Sequence, residues 1–223
     1  MRKAPFMIIA LPLVFAFMCP GAENEPQHAI TERVDRRYNS LNSLRVDFVE
    51  TYRGVGAERS ESGTLWLKKP GKMRWEYEQP NKKFFISDGS EAIFYVVGEP
   101  QARRAKLKQM DDLRSPLRYL LGKTKLEKEF DQLVTLPDRA AGAAPGDIVL
   151  QGVPRGMSDR ITKVTLEIDA GSEIVRLVIE QTDGSQTEFR FSNLQPDVKV
   201  NDDLFRFILP PGVQWIEGND LAP

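Results

Sequence analysis

The chain has 223 residues, with 31 Lys and Arg against 32 Asp and Glu, one His and one Cys. A lone histidine and a lone cysteine leave Ser-His triads, thiol chemistry and most transition-metal sites unsupported. The two signs of charge are interspersed, and no basic tract marks a nucleic-acid-binding surface.

At the N-terminus, Met1-Arg2-Lys3 precedes an apolar run from Pro5 to Cys19 and then Pro20-Gly21-Ala22. This is the pattern of a secretory signal peptide, and cleavage is expected near Ala22. The run is shorter than the ~20 unbroken apolar residues of a transmembrane helix, and it contains Pro12. A lipid-modified Cys19 would require small residues before it, whereas Phe17 and Met18 are bulky. Cys19 is therefore expected to leave with residues 1–22. Residues 23–223 then form one domain without cysteine, with a charge of −3 once Arg2 and Lys3 are lost.

Between Gln27 and Leu41 the apolar positions Ile30, Val34, Tyr38 and Leu41 recur at helical spacing. The opposite face carries Glu32, Arg33, Asp35, Arg36 and Arg37, so this helix should rest on an apolar surface. From Leu44 the period changes to two: Leu44, Val46 and Phe48 share one side of a strand, with Arg45 and Asp47 on the other. Leu65 and Leu67, then Met73, Trp75 and Tyr77, continue the pattern on either side of a Lys69-Pro70-Gly71-Lys72 turn. Ser87-Asp88-Gly89-Ser90 joins Phe84-Phe85-Ile86 to the run Ala92 to Val97. Downstream, Val164, Leu166 and Ile168, then Val175, Leu177 and Ile179, then Thr187, Phe189 and Phe191 around Asp183-Gly184, predict an antiparallel meander with one wet face.

Ser115-Pro116 is a suitable N-cap and first-turn pair for a helix carrying Leu117, Leu120 and Leu121. Lys125 to Phe130 is expected to add a helical turn or two, and Arg139 to Asp147 reads as a loop. His28 is expected at the surface, and Asp111-Asp112 supply negative charge near a helix start. Gly54-Val55-Gly56 lacks the strand-to-helix context of a phosphate loop and belongs to a hairpin.

The sum is a mainly β (α+β) chain, with some nine to eleven short strands apolar on one side and only two or three helices to cover them. A sheet of that size must curl, and an unclosed antiparallel half-barrel under a few helices can leave an apolar cavity. A fully packed barrel or a sandwich would satisfy the same pattern.

Several segments resemble the LolA family of periplasmic lipoprotein carriers. Gly63 to Pro80, with Leu65-Trp66-Leu67-Lys68-Lys69-Pro70 followed by Arg74-Trp75-Glu76-Tyr77, is similar to that family's Gly-x-Leu-apolar-Leu-Lys-Arg-Pro turn and its Arg-Trp-Glu-Tyr strand. Ser87-Asp88-Gly89 with Phe94-Tyr95, the Ser115-Pro116-Leu117 helix, and the ending Phe205-Arg206-Phe207 with Pro210-Pro211-Gly212-Val213 follow in the family's order.

The resemblance implies a half-barrel whose concave face takes the acyl chains of lipoproteins, with helices as a lid. Lining residues would be Val46, Phe48, Leu65, Leu67, Met73, Trp75, Tyr77, Phe189 and Phe191; Leu117, Leu120 and Leu121 would lie on the lid. Lys69 stands where relatives usually carry a lid-holding Arg. It should point inward and need carbonyl or carboxylate partners, making a looser latch than a guanidinium. Arg74 should form a structural pair on the other face. Implied partners are acylated lipoproteins, a LolCDE-like inner-membrane transporter and a LolB-like outer-membrane acceptor, with no cofactor, metal or nucleic acid and a monomeric carrier in the periplasm. The competing readings are an RseB-like sensory regulator and a lipid-anchored LolB-like acceptor. An enzyme ranks behind both.

Overall fold

In the computed structural model, residues 25–106, 125–136 and 143–218 are described. Helix α1 (Gln27–Ser40) leads into β1 (Ser43–Gly54), β2 (Ala57–Lys68), β3 (Lys72–Gln79), β4 (Lys83–Asp88), β5 (Glu91–Val96) and β6 (Gln101–Lys106). A short helix α2 (Leu126–Glu129) then precedes β7 (Phe130–Leu136), β8 (Ile148–Pro154), β9 (Ile161–Ile168), β10 (Ile174–Gln181) and β11 (Gln186–Pro196). A 3₁₀ turn (Asp202–Phe205) and β12 (Gln214–Glu217) follow.

The twelve strands among the described residues belong to one sheet, in the order β12-β6-β5-β4-β3-β2-β1-β11-β10-β9-β8-β7. The outermost strands β12 and β7 do not pair with each other, so this is an open half-barrel, one strand larger than the expected range. Every neighbouring pair is antiparallel except β12 on β6, which is parallel. The segment expected to form a lid, with Leu117, Leu120 and Leu121, lies outside the described residues, as does the expected signal peptide.

The strands form where the sequence alternates. In β1 the positions Leu44, Val46 and Phe48 are buried, and Val49 is exposed. The β1–β2 hairpin pairs without a break from Ser43 opposite Lys68 to Gly54 opposite Ala57, and Gly56 at φ +72° makes the turn.

Gly63 has a different role. It stands between Phe48 of β1 and Tyr77 of β3, at a register shift. A Cβ there would lie 1.9 Å from the Glu76 carbonyl oxygen. With no side chain on the middle strand, the Phe48 and Tyr77 rings meet across it, their centroids 4.9 Å apart.

Helix α1 covers the concave face with the stripe its spacing predicts: Ile30, Val34 and Tyr38 are buried and, with Leu41, belong to the central core. Its C-terminal half is fastened to the end of the sheet where β2 turns into β3 and β9 into β10. The Ile174 amide donates to the Tyr38 hydroxyl at 2.9 Å, and Arg33 and Arg37 reach Ser172 and Glu173. The last turn of a helix leaves carbonyls without partners. Here the Lys69 ammonium donates to the carbonyls of Tyr38 (2.9 Å) and Asn39 (3.0 Å). The N-terminal half meets α2: Thr31 and His28 bond Glu127, and the Leu126 amide donates to Asp35.

The convex face is less wet than expected. On β3–β6 the C-terminal segment buries Phe205 against the sheet, and Phe207 bridges Tyr95 and Trp215 with centroids 5.4 and 5.8 Å away. On β9–β11 the meander buries Thr165, Glu167 and Glu188, correcting the expectation of one solvated face. Those carboxylates are tolerated because Arg176 lies between them, 3.5 Å from Glu167 and 3.2 Å from Glu188.

Candidate functional site on the concave face

The strand register sets the concave face in rows. Leu44, Leu67 and Met73 form one; Val46, Leu65, Trp75 and Phe85 form the next; Phe48, Gly63, Tyr77 and Lys83 form a third. On the other flank, Phe191 pairs with Phe48, and Phe189 pairs with Glu50. All nine lining residues named from the sequence fall into one buried cluster, none more than 8% exposed.

At its centre the aromatic rings interlock. Phe48 meets Trp75 edge-on at 4.8 Å, Trp75 meets Phe189 at 5.7 Å, and Phe189 stacks on Phe191 at 6.1 Å. The Trp75 indole N–H donates to the Met73 sulfur at 2.9 Å, so the ring's polar atom is partnered inside the apolar surroundings. Such a surface offers dispersion contacts and dehydration, worth roughly 25 cal/mol per Å² of apolar area removed from water.

Sequence reasoning missed a polar row beside these rings. Glu50 is 7% exposed and accepts a hydrogen bond of 2.8 Å from the Tyr77 hydroxyl. Lys83 donates to Glu61 at 2.8 Å, and its ammonium lies 4.2 Å from the centre of the Tyr77 ring. Burial, the largest influence, raises the Glu50 carboxyl above its ordinary range; the Tyr77 bond and Lys83 oppose it only in part. The Tyr77 hydroxyl is also pushed well up, first by burial and then by the Glu50 charge. The signal was present in the parity of β1, which puts Glu50 on the same side as Val46 and Phe48.

The remaining nominated residues have definite places. Lys69 points to carbonyl partners, as its inward position requires, and among the described residues these belong to the end of α1. Arg74 is on the convex side, paired with Glu76 at 3.0 Å and donating to the Leu204 carbonyl at 3.2 Å. His28 is largely exposed, and its hydrogen bond to Glu127 raises its pKa. Among the described residues no group of three or more His, Cys, Asp or Glu is placed to hold a metal ion. No described helix is long and apolar enough to cross a membrane.

The family profile described as "Outer membrane lipoprotein carrier protein LolA" matches residues 39–208. An outer-membrane lipoprotein carrier protein of Methylococcus capsulatus is 28% identical over 212 residues, covering 94% of this chain and 96% of that protein. Its counterpart in Alkalilimnicola ehrlichii is 30% identical over 215 residues, covering 95% and 93%. Among solved structures, an uncharacterized conserved protein of Thermus thermophilus superposes with a TM-score of 0.50 at 16% identity, covering 85% of this chain and 98% of that one, a likeness of fold alone. The profile takes in the sheet from β1 to β11 and the 3₁₀ turn on its convex side, the relatives match over nearly their full lengths, and on these grounds the chain belongs to the LolA family.

Proposed function

We propose that this protein is a non-enzymatic carrier that shelters the acyl chains of lipoproteins against the concave face, on Val46, Phe48, Leu65, Leu67, Met73, Trp75, Tyr77, Phe189 and Phe191. The observation carrying this reading is the continuous apolar and aromatic lining of an unclosed sheet in a chain of the LolA family. Residues 1–22 act as an export signal, and residues 23–223 work in the periplasm as one monomeric domain.

The physical need is simple. Each buried methylene is worth about 0.8 kcal/mol, so a multiply acylated protein does not cross water unaided at a useful rate. A carrier that recovered all of that energy would not release its cargo. Part must be spent on opening the cover, here α1 and the segment with Leu117, Leu120 and Leu121, so that net affinity stays moderate. Lys69 fits this scheme as a latch, because moving α1 away from the sheet breaks its two carbonyl bonds. Cargo would arrive from a LolCDE-like transporter and leave to a LolB-like acceptor.

The test is to purify the exported form under native conditions and identify by mass spectrometry what accompanies it. Acylated lipoproteins should copurify and be displaced by a synthetic diacylated peptide. A preparation free of acylated proteins that also fails to bind the peptide refutes the carrier reading. An intact mass showing a diacylglyceryl group on Cys19 would overturn the soluble, exported assignment.

A further inference from the structure

The concave face is not uniform along its strands. Followed along β1, its inward positions run Leu44, Val46, Phe48 and then Glu50; along β2 they run Leu67, Leu65, Gly63 and then Glu61. Tyr77 and Lys83 complete the change on β3 and β4. Four consecutive strands thus each contribute one polar side chain to a connected group that spans two adjacent rows of the half-barrel.

The opposite end is occupied differently. There the turns after β2 and β9 hold the C-terminal half of α1 through Lys69, Ile174, Ser172 and Glu173. From Glu61 to Leu67 the strand advances roughly 20 Å at about 3.3 Å per residue, enough for an extended fatty chain. The inner surface therefore carries its ionisable side chains toward one end, is mainly hydrocarbon along its length, and is closed by a helix at the far end, where the Ser87 hydroxyl is bonded to the Gly71 carbonyl.

We propose that Glu50, Tyr77, Lys83 and Glu61 form a head-group subsite that orients an acylated ligand, taking its uncharged amide and ester linkages while the tails run toward Leu67 and Met73. This rests on the carrier reading above and adds a direction to it. The chemistry favours neutral, hydrogen-bonding linkages. The Glu50 carboxyl, held above the ordinary carboxylate range by burial, accepts from an amide N–H, and the Lys83 ammonium, with three donors, has capacity for an ester or amide carbonyl besides Glu61. A phosphate group would meet two carboxylates at close range. Burying a hydrogen-bonding linkage without partners is costly, whereas placing it here is not, so the reversed orientation is disfavoured.

The experiment uses the exported protein and a synthetic diacylated peptide carrying a photoreactive diazirine either at the end of one acyl chain or beside the acylated cysteine. The head probe should label β2 near Glu61 and β4 near Lys83, and the tail probe should label residues near Leu67 and Met73. A reversed pattern, or the same pattern from both probes, overturns the subsite while leaving a carrier. No saturable labelling by either probe refutes the carrier reading and the subsite together.

A double variant separates orientation from folding. Glu50→Leu combined with Tyr77→Phe removes both partners of one buried hydrogen bond and should leave the fold nearly unaffected. Affinity for the diacylated peptide should fall about tenfold, the effect of one lost charge-assisted hydrogen bond, and that for a fluorescent alkyl probe without polar linkages should not. Equal changes for the two ligands would overturn the proposal.

Discussion

On the concave face the buried groups are mostly aliphatic and aromatic, interrupted by the Glu50 group and by Ser87, whose hydroxyl donates to the Gly71 carbonyl, whereas the convex side of β9–β11 buries Glu167 and Glu188 around Arg176. Apolar contact is non-directional, so rings such as Phe48, Trp75 and Phe189 can rearrange around a guest and keep most of their energy. Ion pairs at 3.2 to 3.5 Å tolerate little displacement, and a shift of register by one residue would strand charges in the sheet. In the carrier proposed above, this division would give an adaptable lining on a frame whose strands are pinned from behind.

The largest test of the contrast is Phe48→Ala. The ring is 2% exposed and touches Trp75 and Tyr77, so removing it should cost about 4 kcal/mol, read from denaturant midpoints. If the lining adapts to guests, a saturating acyl ligand should restore more stability to this variant than to the parent, because the ligand fills the new space. Equal ligand shifts would mean that the inner face is as fixed as the outer one.

Arg176→Met probes the other side. It leaves two buried carboxylates without their main cation and should cost about 3 kcal/mol. Adding Glu167→Gln and Glu188→Gln should recover much of that loss. A cost near zero for the single change would show the patch to be solvated and would dissolve the comparison. Lys69→Met is expected to be milder, about 1 kcal/mol, since it removes donors from carbonyls at a helix end. Its signature is local: amide exchange should accelerate in the C-terminal turn of α1 and hardly at all in β3.

How much of this was legible in the sequence differs between the same two faces. The apolar lining could be read residue by residue, because period-two alternation and the Pro70-Gly71 turn fix which side chains share a face. Strands such as β6, with Gln101, Arg103, Arg104 and Lys106 around two alanines, carry no such alternation and take their conformation from the strand beside them. The buried carboxylates were invisible for a related reason. Glu167 and Glu188 look solvated until Arg176 is placed between them, and that depends on pairing between strands, not on any one strand's pattern. Glu50 could have been found by following the parity of β1 two residues past Phe48.

The smallest predicted effects come from pH, where the two faces should respond with opposite signs. Burial raises Glu50 above its ordinary value of 4.5, so its charge costs stability near neutrality, and that cost disappears as pH falls through the raised value toward 4.5. Glu188 is also pushed up by burial, but Arg176, Arg190 and Arg53 outweigh this and hold it below 4.5. Its contribution is complete above 4.5 and is lost as pH falls through the lowered value. Glu50→Gln should therefore raise Tm at pH 7 with an advantage that fades as pH falls toward 4.5, provided the amide keeps the Tyr77 bond. Glu188→Gln should lower Tm at pH 7 with a deficit that shrinks only below pH 4.5. Parallel shifts in the two variants would mean that both carboxylates share one environment, and the division between an adaptable inner face and an ionic outer one would fail at its most sensitive point.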